Sequence, residues 1–319
     1  MAVVAVLAAL LAAAEAMHSR KFAFTSRQLL NVPNSTSAVA ASLAVPSSCV
    51  PDGAVVLSMS NAHHRVLRNL QFSLIQHEAC FMQRVVSICW GEWEDHFGTC
   101  VRGSCDGGLG SACLPSDYRR SQYVALNWAK WPFFIDALIV ARQLLWLEAD
   151  VVIATNPWPL LLKQPAPMLQ ADVVYQWETP PCNLTSGTPP PSSLKPGAIC
   201  SKTGLPHEEP LNCGQLLISS LPFARSVWAS RPSKLYNGAP SQQHYANVVK
   251  HNFTHTGLPL EFFNHCWKAV SRTVRITDPC ALVTYHATCG MNSKEKITLM
   301  QNFVVKAQKC PRTRSPARR

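Results

Sequence analysis

The run Leu144 to Ile153, LLWLEADVVI, sets two carboxylates, Glu148 and Asp150, in the middle of an otherwise apolar stretch. A segment this hydrophobic reads as a strand covered on both faces, the kind found at the centre of a parallel sheet. Residues two apart in a strand point to the same face, so both acids would share one. Burying like charges side by side is costly unless a cation or hydrogen-bond donors compensate them. The pair therefore belongs at or near a strand end, and in an open α/β sheet ligands bind at the carboxyl ends of strands. A divalent metal carrying a phosphate-bearing ligand satisfies these demands, because hard cations take carboxylate and phosphate oxygens. A solvated turn in which the acids face water satisfies them too.

The flanking sequence fits a sheet with helical crossovers. Ala54 to Met59 (AVVLSM) predicts a buried strand, Arg65 to Ala79 a helix, and Arg84 to Cys89 (RVVSIC) a second strand. That β-α-β order implies a parallel sheet in an α/β fold. Pro132 to Arg142 predicts a helix with its proline in the first turn. Further strands are expected at Ala171 to Trp177, Cys213 to Ser219 and Ala281 to His286, and helices at Leu221 to Ser230 and Ser293 to Gln308. Thr179 to Pro210 is proline-rich and reads as a long surface loop. The chain has no internal repeat, no Gly-rich phosphate loop and no G-x-S-x-G, so kinase-like and serine-hydrolase readings have no foothold.

Composition narrows the class further. With 47% hydrophobic and 15% charged residues in a chain of 319, disorder throughout is excluded. The longest apolar run is the first 14 residues, short of the roughly 20 that a spanning helix needs, which excludes a polytopic membrane protein. Residues 1–16 outline a secretory signal peptide closing at Ala14-Glu15-Ala16; an uncleaved anchor is the other reading. Residues 17–48 read as a stem or linker, 49–305 as the body, and 306–319 as a basic, disordered tail. The formal charge of +11 sits largely at the ends, since Lys306 to Arg319 hold six cations and no acid. A near-neutral body argues against nucleic acid as a partner. All 13 cysteines lie between Cys49 and Cys310 without a C-x-x-C pair, which favours disulfides in an oxidising compartment over structural zinc. An odd count leaves at least one thiol outside intrachain disulfides. Glycosylation triplets begin at Asn34, Asn183 and Asn252.

Trp128 to Leu160, WAKWPFFIDALIVARQLLWLEADVVIATNPWPL, combines Lys130, an apolar helix, Glu148-Ala149-Asp150 and Asn156-Pro157. Upstream lies SMSNAHHRVLRNLQFSL with Asn61 and Asn69. Downstream come Asn212-Cys213-Gly214, Tyr285-His286-Ala287 and Lys294-Glu295-Lys296. In this order, from about Ala54 to Asn302, these elements resemble the nucleotide-diphospho-sugar transferase family, Golgi glycosyltransferases known mainly from plants and algae.

The resemblance implies a GT-A-like, Rossmann-type α/β fold, a mixed and mainly parallel sheet flanked by helices. It implies sugar transfer from a nucleotide-diphosphate-sugar donor to a glycan or glycoprotein acceptor, with Mn2+ or Mg2+ as cofactor and retention of configuration. Asp150 would ligate the metal, Glu148 would stand on the donor ribose or in the metal shell, and His286 would complete that shell. Asn61, Lys130, Asp136 and Lys294 would contact the donor. Asn212, Gly214, Gln242 and Gln243 would line the sugar or acceptor side. The implied location is the Golgi lumen, with secretion second and membrane attachment only through an uncleaved N-terminal segment. The chain departs from the family at Glu148, where an aspartate is usual, at Cys89-Trp90, at Ser241-Gln242-Gln243, and in the Gly290 to Lys294 spacing. A catalytically inactive carbohydrate-binding or scaffold protein of the same fold is therefore the alternative. His63-His64 reads as a solvated loop pair; Trp90, Trp93, Trp177 and Trp267 are candidate sugar platforms.

Overall fold

A computed structural model describes residues 35–61, 65–90, 97, 99–103, 121–177, 211–231, 245, 248, 253–265, 278–288 and 292–310. The larger strands are β1 (Ala54–Asn61), β2 (Val85–Trp90), β3 (Thr99–Gly103), β4 (Gln143–Leu147), β5 (Val151–Ile153), β6 (Val173–Trp177) and β7 (Leu211–Ile218). Three short ones follow: β8 (His255–Gly257), β9 (Phe262–Asn264) and β10 (Thr284–His286). Helices α1 (Ser35–Ala44), α2 (Arg65–Phe72), α3 (Ser121–Val140), α4 (Leu221–Ala229) and α5 (Ser293–Ala307) flank them, with several single-turn helices between.

Seven strands form one sheet in the order β3-β2-β1-β4-β7-β6-β8, and β5-β10-β9 form a second. β1, β2, β3 and β4 run parallel, β7 lies antiparallel to both β4 and β6, and β8 is parallel to β6. The mixed, mainly parallel α/β sheet flanked by helices is thus present. Its central strands are buried on both faces, and alternate side chains feed two cores. Leu144 and Trp146 of β4 join one cluster, with Trp131, Phe134 and Ala137 of α3 and Phe223 of α4. Leu145 and Leu147 join the other, with Phe72, Trp158 and Phe262. This two-sided burial is why the strands read as unbroken apolar runs.

Local sequence sets several helix ends. Ser220 accepts a hydrogen bond from Phe223 N at the start of α4. Asn292 accepts one from Glu295 N at the start of α5, which also has Glu295 in its first turn and Lys306 in its last.

Three expectations are corrected. The helix expected to begin at Pro132 begins at Ser121, with the proline inside it. An interior proline costs about 3 kcal/mol, but Trp128, Trp131, Phe134 and Ala137 on either side are all buried, and that packing offsets the cost. The single strand expected over Leu144 to Ile153 is two strands in different sheets. Glu148 N donates to Gly214 O (2.9 Å) and Val151 N to Glu148 O (3.1 Å), turning the chain at Ala149–Asp150. The stem expected over 17–48 contributes α1, whose Val39 is 1% exposed in the core and whose Ser42 Oγ donates to Gln83 O.

Disulfides join Cys49 to Cys80, Cys89 to Cys100 and Cys280 to Cys310. The last ties the end of α5 into the body, so the basic tail does not begin at 306; residues 311–319 lie outside the described residues. Cys213 is a buried thiol. The proline-rich loop and all three glycosylation asparagines fall outside the described residues. No helix among the described residues is long and apolar enough to cross a membrane.

Candidate metal and donor site

The strand order reverses between β1, which leads through α2 to β2, and β4 on its other side. At such a switch point the carboxyl ends of neighbouring strands open a crevice. β1 ends there in Asn61, and β4 ends there in the turn that carries Glu148 and Asp150.

A buried polar network holds that turn. Ser58 Oγ donates to Leu147 O (2.7 Å) and Gln71 Nε2 to Glu148 O (2.8 Å). Arg68, fully buried on α2, donates to Gln71 Oε1 (2.6 Å), to Phe97 O (3.1 Å) and to Ser87 Oγ. The strand-ending carbonyls therefore have partners inside the protein, which buried backbone requires. On the other side Ala287 N donates to Asp150 O (2.9 Å), fastening the turn to the end of β10.

β10 brings in His286. One ligand atom each from Glu148, Asp150 and His286 lies within 4.8 Å of the other two. The imidazole is 2% exposed, with Nε2 3.3 Å from Asp150 Oδ1 and Nδ1 2.6 Å from Gln176 Oε1. Its ring lies against the backbone of Gly214, where a Cβ would come within 2.1 Å of His286 Cε1. Gly214 sits in a bulge: the β6–β7 register jumps between Tyr175–Leu216 and Gln176–Asn212. Asn212 Oδ1 accepts from Gly214 N (2.8 Å) and shapes that bulge.

Two lysines supply positive charge. Lys130 Nζ lies 2.9 Å from Glu148 Oε1, 3.5 Å from Cys213 O and 5.2 Å from the Trp146 ring centroid. Burial works to lower its pKa, yet Cys213 and Glu148 outweigh burial and the net shift is upward. Lys296, on the first turns of α5, places Nζ 2.5 Å from Asp150 Oδ2. Burial pushes the Asp150 carboxyl up, but the Lys296 ammonium and His286 prevail and hold it well below the usual carboxylate range. Asp150 is ionised throughout the neutral range, ready to ligate a cation. Two carboxylate oxygens and an imidazole nitrogen form a set of ligand atoms that could hold a divalent cation.

Of the expected site residues, the fold brings Glu148, Asp150 and His286 together. Lys130 reaches the same place, its ammonium beside Glu148 and Cys213 at 1% exposure. Lys294 is exposed on α5, and Lys296 takes the position beside Asp150. Asp136 accepts from Ser35 Oγ where α1 packs on α3, and burial pushes its carboxyl up. Gly214 lies against the His286 ring, and Asn212 Oδ1 accepts from Gly214 N beside it. Asn61 ends β1 at the crevice. Gln242 and Gln243 lie outside the described residues, as do His63, His64, Trp93, Trp267 and Gly290. Trp90 and Trp177 are core residues at 2% and 1% exposure, and Trp177 packs on Gly257, where a Cβ would come within 1.9 Å. Arg68, Gln71 and Gln176 are site-supporting residues that the sequence motifs do not single out; Lys296 lies within the Lys294-Glu295-Lys296 motif, but the expected contact is Lys294.

No family model matches the chain, and no curated protein sequence matches it. Similar solved structures include a glycosyltransferase involved in the glycosylation of the major capsid of PBCV-1, at 14% identity and TM-score 0.42, covering 78% of this chain and 98% of that one. The galactosyltransferase LgtC in complex with donor and acceptor sugar analogs is 12% identical with TM-score 0.46, covering 82% and 97%. Mouse xyloside xylosyltransferase 1, in its apo form, is 11% identical with TM-score 0.41, covering 74% and 98%.

Proposed function

We propose that this chain is a metal-dependent glycosyltransferase that moves a sugar from a nucleotide-diphosphate donor to a glycan or glycoprotein acceptor. The observation that carries the reading is the convergence of Glu148, Asp150 and His286 at the carboxyl end of β4, beside the switch point of the sheet. The ordered sequence motifs from Asn61 to Lys296 support it independently.

Asp150 and His286, with Glu148, would hold Mn2+ or Mg2+. A divalent ion bound there supplies Lewis-acid neutralisation of charge on a departing diphosphate. The chain's own residues do the rest. Asp150 stays ionised because Lys296 and His286 favour its charged form. Lys130 balances Glu148 so that two neighbouring carboxylates coexist in a mostly buried turn. The Arg68–Gln71–Ser58 network keeps that turn from shifting as ligands enter.

Incubating the protein with Mn2+ and a panel of nucleotide sugars tests the reading, with donor hydrolysis or transfer as readout. Turnover is expected, with a loss of at least about 100-fold in Asp150→Asn. No nucleotide-sugar binding with any divalent metal would overturn it. Proton NMR of the first product is expected to show retained anomeric configuration. The disulfides favour an oxidising compartment, which we take to be the Golgi lumen first and the extracellular space second.

A second reading is favoured by the Lys296–Asp150 pair, in which a protein cation already stands on the main metal ligand. In an inactive carbohydrate-binding protein of this fold that pair would persist. Oligosaccharide binding without Mn2+ dependence, unchanged in Asp150→Asn, would select this reading.

A further inference from the structure

His286 has two ring nitrogens, and only the one that lacks a proton can ligate a metal or accept a hydrogen bond. Nδ1 faces Gln176 Oε1 at 2.6 Å, and Nε2 faces Asp150 Oδ1 at 3.3 Å. Both neighbours are acceptors, so Nδ1 carries a proton toward Gln176 whether Nε2 also holds one facing Asp150 or gives its lone pair to a metal. The opposite tautomer would press two lone pairs together at 2.6 Å in a fully buried place, where an unsatisfied acceptor costs about 1–3 kcal/mol.

The amide of Gln176 cannot turn to offer its nitrogen instead. Its Nε2 donates to Phe262 O at 3.0 Å, and reversing the group would set carbonyl against carbonyl there. Gln176 is fully buried, at the register jump of β6. It thus reaches from the large sheet to β9 and β10 of the small one, the only route by which a β6 side chain touches both His286 and Phe262 among the contacts described. Gly214 closes the remaining freedom, because its backbone lies against the imidazole ring.

We propose that Gln176 is a positioning residue: it fixes His286 as the Nδ1–H tautomer and so aims the Nε2 lone pair into the space shared with Glu148 and Asp150. Histidines that bind metals commonly give their other N–H to a carboxylate, a carbonyl or water. Here a side-chain amide fills that role, without adding a third negative charge to a turn that already holds two. The metal reading above is the premise for the effect on affinity, but the tautomer itself is a property of the protein alone.

The experiment uses the full chain labelled with 15N-histidine, with spectra recorded over a series of pH values. Long-range 1H–15N correlation spectra report which nitrogen carries the proton, and His286→Gln identifies the resonance. Metal-free wild type is expected to show Nδ1–H at His286. Gln176→Leu is expected to shift the ring to Nε2–H, now donating to Asp150, and to weaken Mn2+ binding by about 10- to 100-fold in calorimetric titration. Gln176→Glu keeps an acceptor at that position and is expected to retain Nδ1–H; it also decides the matter if the leucine variant does not fold. A wild-type ring protonated at Nε2 alone, or a leucine variant with unchanged protonation at Nδ1 and unchanged Mn2+ affinity, overturns the proposal. If wild type binds no Mn2+ but shows the tautomer switch, the role of Gln176 stands and the metal reading fails.

Discussion

At the scale of single residues, the site depends on side chains that are small or displaced as much as on ligands. A methyl group at position 214 would meet the imidazole at 2.1 Å, so the ring has to move. Gly214→Ala is expected to lower Mn2+ affinity and to cost about 1–3 kcal/mol of stability, as overpacking does; titration calorimetry and thermal unfolding check both. Lys296 matters through charge. Asp150 is held below its unfolded value of about 3.9, mainly by Lys296 acting against burial. A depressed carboxyl contributes stability that is complete above the unfolded value and is lost as pH falls through the folded one. Lys296→Met raises the folded value, so acid unfolding followed by circular dichroism is expected to begin at higher pH. An unchanged acid limb would show that Lys296 does not govern Asp150. Glu148, Asp150 and His286 were legible because acids inside an apolar run demand a compensating partner and the motif order supplies one. Gln71 and Gln176 were not, because their partners lie 77 and 110 positions away. Nothing local in the sequence marks such pairings.

At the scale of elements, periodicity located most strands and helices, and failed where tertiary contacts overrule local preference. Pro132 signals a helix start, yet α3 runs through it because aromatic residues on both sides are anchored in the core. LLWLEADVVI reads as one strand, yet its halves belong to two sheets, since β7 and β10 compete for it on either side of Glu148. The Cys280–Cys310 bridge closes a segment of sequence separation 30 that contains both His286 and Lys296. Replacing both cysteines with serine is expected to cost about 3 kcal/mol and, because both halves of the site's C-terminal side loosen together, to weaken Mn2+ binding. Denaturant unfolding and calorimetry measure the two effects. Full stability with loss of the bridge would mean that packing of α5 alone secures that side.

At the scale of the whole molecule, the crevice joins two sheets, so ligands there should stabilise the entire body. Mn2+ with a nucleoside diphosphate, at about 100 times its dissociation constant, is expected to add about 2.7 kcal/mol. Asp150→Asn should abolish that increment, as read from the thermal midpoint. The register jump in β7 that seats Gly214, and the 146 positions that separate Asp150 from Lys296, have a consequence for synthesis. During translation, β1 to β4 and the helices that cover them emerge long before β10 and α5. A domain growing from its N-terminus buries early contacts first and pays the loop entropy of distant ones last. In small metal-dependent domains an ion drives folding. In this chain an ion would arrive at a body that has already folded, and the chemistry would be the last property the nascent protein acquires.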